Sequence, residues 1–142
     1  MKLPDVNVLL HATNSASREH RQARDWLTSA INAAAGVGFT WSALLAFLRL
    51  STRRGIFESP LAVEHAIVTV AEWLQAPRVT VLQPAERHWA ILSRLLVGAG
   101  TAGNLTSDAH LAAIAIEHGA TLASYDRDFE RFAGLDFELL TT

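Results

Sequence analysis

No cysteine occurs in the chain, and its twelve basic residues comprise eleven arginines and a single lysine, Lys2. The first absence removes thiol nucleophiles, disulfides, iron–sulfur clusters and thiolate zinc sites together. The second leaves Schiff-base chemistry and the phosphate-gripping lysine of a P-loop almost nowhere to sit, and no G-x-x-x-x-G-K pattern occurs. Charge is sparse: 18% of the 142 residues are charged, for a formal net charge of −2. That balance argues against a chain-wide electrostatic grip on nucleic acid, and leaves open a local site that is acidic for a reason. Long hydrophobic runs are missing too. The densest, such as Ala43 to Leu48, fall far short of a membrane span. Asp5, Asn7 and His11 interrupt the first apolar stretch too often for a signal peptide. The chain reads as a soluble cytoplasmic protein with no membrane partner.

Half of the residues are apolar, in a length that fits one domain spanning residues 1–142. Short β-type runs alternate with longer helical ones. Val6 to Leu10 and the residues just before them read as a buried first strand, one that can run on into a helix. Ala23, Trp26, Leu27, Ala30, Ile31 and Ala34 recur at helical spacing, with Gly36 as a stop. Val37 to Thr40 is a short strand, and Trp41 to Arg53 an apolar helix closed by Gly55. Ser59-Pro60 reads as the start of a helix that Pro77 ends. Arg78 to Leu82 is a β-branched strand, and Pro84 opens a helix to about Val97. Gly98 to Asn104 is a flexible break before a helix from Thr106 to His118, ended by Gly119. Ala120 to Ser124 is a buried strand, Tyr125 to Phe132 a polar turn with a short helix, and Phe137 to Leu140 a last strand. Strands separated by helices predict about five parallel strands in a three-layer α/β domain.

Ligands of an open parallel sheet bind beyond the carboxyl ends of its strands, near a topological switch point. Asp5 lies beside the first strand, Asp126 and Asp128 directly follow Ala120 to Ser124, and Asp108 opens the helix after the glycine-rich break. Four carboxylates from three distant segments can thus converge at one edge. Crowded carboxylates repel one another and stay partly protonated unless a cation joins them. Magnesium and manganese prefer such oxygen ligands, and a retained water can serve as nucleophile at a phosphate. Each residue also has a plainer role: Asp108 as a helix N-terminal acid, Asp126 and Asp128 as turn residues.

These segments resemble a known family. Leu3-Pro4-Asp5-Val6-Asn7-Val8-Leu9-Leu10 is similar to the opening of a PIN domain. Thr106-Ser107-Asp108-Ala109-His110-Leu111 resembles its second acidic motif, and Thr121-Leu122-Ala123-Ser124-Tyr125-Asp126-Arg127-Asp128-Phe129 its third. The order matches over nearly the whole chain, and the likeness is greatest to the VapC-type toxins of prokaryotic toxin–antitoxin pairs. The resemblance implies a magnesium- or manganese-dependent endoribonuclease that hydrolyses RNA with metal-activated water. It implies metal binding by Asp5, Asp108 and Asp126, with Asp128 in support and Asn7 and Thr106 as hydrogen-bonding residues behind them. It also implies a small VapB-type antitoxin, whose basic tail can occupy the acidic pocket, and a homodimer.

One departure is visible. The family commonly places a further acid on the helix after the second strand, where this chain reads Trp41-Ser42-Ala43-Leu44-Leu45-Ala46-Phe47-Leu48-Arg49. A non-catalytic PIN fold that binds RNA or a protein is therefore the alternative expectation. Dehalogenase-type phosphatases and phosphoreceiver domains are disfavoured, since both want a later lysine. Gly98-Ala99-Gly100-Thr101-Ala102-Gly103 satisfies G-x-G-x-x-G, but it follows a helical run rather than a strand. The six histidines include no H-E-x-x-H, and His110 reads as a helix-surface residue. Arg18, Arg21 and Arg24 form a stripe, and Arg49, Arg53 and Arg54 a cluster. Both suit RNA phosphates as well as they suit solvent or pairs with Glu19 and Asp25. The four tryptophans fall mostly at core-compatible positions, with interface roles as the other reading.

Overall fold

Pro4 and Asp5 fix where the first strand stops. In the computed structural model, which describes residues 1–141, β1 spans Lys2–Pro4 and α1 spans Val6–Thr13. The apolar run Val6 to Leu10, read as strand from sequence, is thus helix. A short run of this kind does not distinguish a buried strand from a buried helix, and here Val8, Leu9 and Leu10 are all buried within α1. Asp5 sits between the two elements with extended backbone, φ −71° and ψ 161°, and its carboxylate accepts from the Val6 N–H at 2.7 Å. That is N-capping, and it turns strand into helix within one residue.

The chain continues through α2 (His20–Asn32), β2 (Val37–Phe39), α3 (Trp41–Ser51), α4 (Val63–Gln75), β3 (Val79–Val81), α5 (His88–Ala99), α6 (Thr106–His118), β4 (Thr121–Ser124) and β5 (Phe137–Leu139). Two short 3-10 segments, Gly103–Leu105 and Arg127–Arg131, flank α6 and follow β4. The five strands are parallel in the order β3-β2-β1-β4-β5, with Leu3 opposite Leu122 and Pro4 opposite Ala123. Chain direction across the sheet reverses between β1 and β4, so the switch point lies at their carboxyl ends.

Helices cover both faces. One core packs Leu3 and Leu122 under α5 and α6, with Ile91, Leu95, Leu111 and Phe129. The other sets Val37 and Phe39 against α1 to α4, with Leu9, Leu44, Phe47 and Phe57. Trp73 belongs to this second core, its ring stacked on Phe39 at 5.7 Å and tilted against Phe47 at 5.0 Å. Trp26 is half-buried and donates to Glu138 at 3.1 Å, whereas Trp41 and Trp89 are exposed, contrary to a core position for them.

Two helix starts differ from the sequence expectation. α4 begins at Val63 rather than Pro60, because the Leu61 N–H donates to the Ser51 carbonyl at 2.8 Å and holds that segment against the end of α3. α5 begins at His88 rather than after Pro84. There the Ala85 and Arg87 N–H groups donate to the Glu117 carboxylate at 3.0 and 2.9 Å, so an acid from α6 supplies the acceptors of the incoming turn. The glycine-rich break resolves into the end of α5, where Gly100 takes a left-handed φ of 77°, and the 3-10 turn before α6.

Candidate metal centre

Ser124 closes β4 and organises the carboxyl edge. It is fully buried, and its hydroxyl donates to Asp5 Oδ2 at 2.7 Å while accepting from Asn7 Nδ2 and the Asp126 N–H, each at 3.0 Å. One hydroxyl therefore ties the ends of β1 and β4 together. Sequence reasoning passed over Ser124; the available signal was a polar residue ending the apolar strand Thr121-Leu122-Ala123 in a buried position. Asn7 supports this hub and not a carboxylate, since its Oδ1 also accepts from the Tyr125 N–H at 3.3 Å. Thr106 donates to the Gly103 carbonyl at 2.9 Å, a local bond at the start of α6.

The aspartates gather around this frame. Asp126 caps the following 3-10 turn, its Oδ1 accepting from the Asp128 N–H at 2.9 Å. Asp108 lies in the first turn of α6. Asp108, Asp126 and Asp128 each present a carboxylate oxygen, and these atoms lie within 4.8 Å of one another. Asp5 stands beside this triplet with its two oxygens turned to Val6 and Ser124. Asp128 also approaches Arg131 at 3.6 Å on the exposed side.

Electrostatics follow from the crowding. Burial pushes the Asp5 carboxyl above the ordinary range; the bonds from Ser124 and Val6 pull it part of the way back, and the Asp126 charge adds to the rise. Asp108 is pushed up to about 6, first by desolvation and then by the negative charges of Asp5, Asp126 and Asp128. Among the described residues no cation stands close enough to lower either. Three mutually close oxygens of hard, anionic character fit an oxygen-preferring divalent cation, which relieves the repulsion that the fold imposes.

A cleft of about 670 Å³ opens beside the triplet. It is lined by the acids Asp5 and Asp108, by Ser42, Leu45, Ala46 and Arg49 of α3, by Leu92 of α5 and by His110 and Leu111 of α6. No carboxylate of α3 faces it. His110 is half-buried here rather than on an open helix surface: its Nδ1 lies 2.9 Å from His88 Nε2, and desolvation, then His88, lowers its pKa. Of the two arginine groups, Arg24 pairs with Asp25 at 3.5 Å, while Glu19 pairs with Ser17 and His11 instead of an arginine.

A family model described as the PIN domain matches residues 2–135. Ribonuclease VapC37 of Mycobacterium tuberculosis is 49% identical over 138 residues, covering 97% of this chain and 96% of that protein. Ribonuclease VapC33 of the same species is 42% identical, covering 95% and 94%. Among solved structures, VapBC2 from Rickettsia felis, bound to a DNA fragment from its promoter, superposes with a TM-score of 0.67 at 16% identity, over 99% of this chain and 98% of that one. Mycobacterium tuberculosis VapC20, titled a sarcin–ricin loop cleaving toxin, gives 0.66 at 17% identity, over 95% and 98%.

Proposed function

Since the chain belongs to the PIN-domain family, we propose that it is a divalent-metal-dependent endoribonuclease and the toxin of a VapBC-type toxin–antitoxin pair. The observation that carries the reading is the convergence of Asp108, Asp126 and Asp128 beside Asp5, at the switch point of the sheet, where burial and the neighbouring negative charges push Asp108 up to about 6. The high identity to two proteins named ribonucleases supports the same activity.

Asp108, Asp126 and Asp128 would hold Mg2+ or Mn2+, with Asp5 completing the acidic wall. When bound, such an ion supplies charge stabilisation at a phosphate oxygen and lowers the pKa of water for attack on phosphorus. The rest is positioning. Ser124 fixes the Asp5 carboxylate through Oδ2, and Val6 fixes it through Oδ1. Asn7 keeps the Ser124 hydroxyl oriented, and Asp126 is held by the Asp128 amide. Hydrolysis at the P–O3′ bond leaves a 5′-phosphate and a 3′-hydroxyl.

The partners follow from the same likeness. A VapB-type antitoxin with a basic tail suits the acidic cleft, the toxin chain would pair with a second copy, and an RNA substrate is consistent with a cytoplasmic protein. No described helix is long and apolar enough to cross a membrane. The absence of an acid on the α3 wall favours the second reading, a PIN fold that binds RNA or protein without cutting. Purified protein freed of antitoxin separates the two. Cleavage of RNA in Mg2+ or Mn2+, abolished by chelator and in Asp5→Asn and Asp108→Asn, is the expected result. Persistence in chelator contradicts the mechanism, and RNA binding without cleavage in any metal selects the second reading.

A further inference from the structure

We propose that Arg49 binds a phosphate of the RNA strand entering the cleft, seating a nucleotide whose base packs against Leu45, Leu50 and Leu92. The proposal rests on the ribonuclease reading and assigns the substrate-binding side of that site. Three observations lead to it. First, Ser42, Leu45, Ala46 and Arg49 follow one another at helical spacing on the face of α3 that forms the cleft wall, so Arg49 is directed along the cleft and not away from it. Second, the fixed charges lining the cleft are Asp5, Asp108 and Arg49, and they do not neutralise one another. Among the described residues Arg49 has no ion pair and no side-chain hydrogen bond. An arginine that shares a cleft with two acids yet pairs with neither leaves a gap with a cation on one side and a metal-seeking acidic group on the other. A polyanion fills such a gap: one phosphate meets the guanidinium, and the next lies toward the carboxylates and their cation. Third, leucine and alanine side chains, with Ser42, Thr106, Ser107 and His110, make up much of the remaining lining. The cleft volume of about 670 Å³ falls in the ~300–1,000 Å³ range of small-ligand sites, enough for an unstacked nucleotide. The guanidinium fork matches two phosphate oxygens at once, which a lysine does not.

Arg49 also stands in the last turn of α3, where a cation favours the helix dipole. The two roles predict different measurements. Binding of a short fluorescein-labelled single-stranded RNA pool of mixed sequence is followed across a salt series in the full chain carrying Asp108→Asn, which prevents cleavage. Adding Arg49→Ala is expected to weaken binding by roughly tenfold or more, the effect of one charge-assisted contact, and to lower the log–log salt slope by about 0.7, one phosphate contact of a single strand. Arg49→Lys is expected to restore the slope and part of the affinity. With Asp108 intact, Arg49→Ala raises KM for RNA cleavage and leaves kcat nearly unchanged. If the parent binds RNA and Arg49→Ala keeps its affinity and slope, the proposal is overturned and the ribonuclease reading stands. A lowered Tm with an unchanged slope overturns it in favour of the helix-dipole role. A chain that neither binds RNA with Asp108→Asn nor cuts it with Asp108 intact overturns both.

Discussion

Asp108 is ionised only against desolvation and the combined field of Asp5, Asp126 and Asp128, and this makes it a thermodynamic load on the metal-free fold. Its carboxyl titrates near 3.8 when unfolded and near 6 when folded, so between those values the native state keeps a proton that the unfolded chain has released. Stability contributed by this group therefore falls as pH rises from about 4 to 6 and stays lower above it. The side chain is half open to water, and with solvent screening the load at pH 7 is about 1 kcal/mol. Asp108→Asn is thus expected to abolish cleavage yet raise metal-free stability by about 1 kcal/mol at neutral pH, with little gain below about pH 4; urea denaturation at the two pH values reads this. Equal destabilisation at both would contradict the account. Ser124 makes the opposite case. Ser124→Ala leaves the Asp126 amide and Asn7 Nδ2 without an acceptor and Asp5 Oδ2 without its donor. A loss of about 1–3 kcal/mol is expected. Because the Ser124 bond lowers the Asp5 pKa, its removal should also move the acid limb of the cleavage–pH profile upward.

Elements were legible in the sequence where the deciding groups were local. The helix Thr106 to His118 has the bounds its pattern predicts, because Gly119 takes the left-handed φ of 66° that ends it and its amide returns to Ala115 and Ile116. Nothing stands near enough to obstruct a methyl group there, so Gly119→Ala isolates the backbone cost, about 1 kcal/mol by thermal or urea denaturation. Boundaries set by tertiary contacts were not legible. The start of α5 depends on Glu117, thirty residues away in sequence, and the start of α4 on a bond to Ser51. Glu117→Gln is expected to lower the urea midpoint with the slope unchanged, since the helix start loses charged acceptors while the folded surface stays the same. The strand misassigned at Val6 to Leu10 has a third cause: a helix buried on most sides reads as a plain apolar run.

At the scale of the whole molecule, the parallel α/β architecture was readable from the alternation of runs, while the strand order required the structure. That order matters most for function. Placing β1 beside β4 brings Asp5 and Asp126, more than a hundred residues apart, to adjoining strand ends, and α6 delivers Asp108 to the same edge. The aspartates themselves were visible as candidates. The Ser124 and Asn7 bridge that holds the edge, and the His88–His110 contact in the cleft, depend on three-dimensional neighbours that spacing does not encode. A net charge of −2 is compatible with RNA because the acidity is concentrated where a cation belongs and Arg49, which lines the same cleft, has no ion pair among the described residues. A cation that binds only the folded form stabilises it by mass action, by about 2.7 kcal/mol at one hundred times its Kd, so melting temperature should rise with added Mn2+ and less so below about pH 6, where Asp108 is protonated. Calorimetric titration of the metal-free protein with Mn2+ at pH 7 tests the central claim most directly. The account predicts saturable binding at pH 7 that weakens below about pH 6, where Asp108 is protonated, and loss of that binding in Asp108→Asn. Binding of equal strength in that variant, or none in the parent chain, would contradict it.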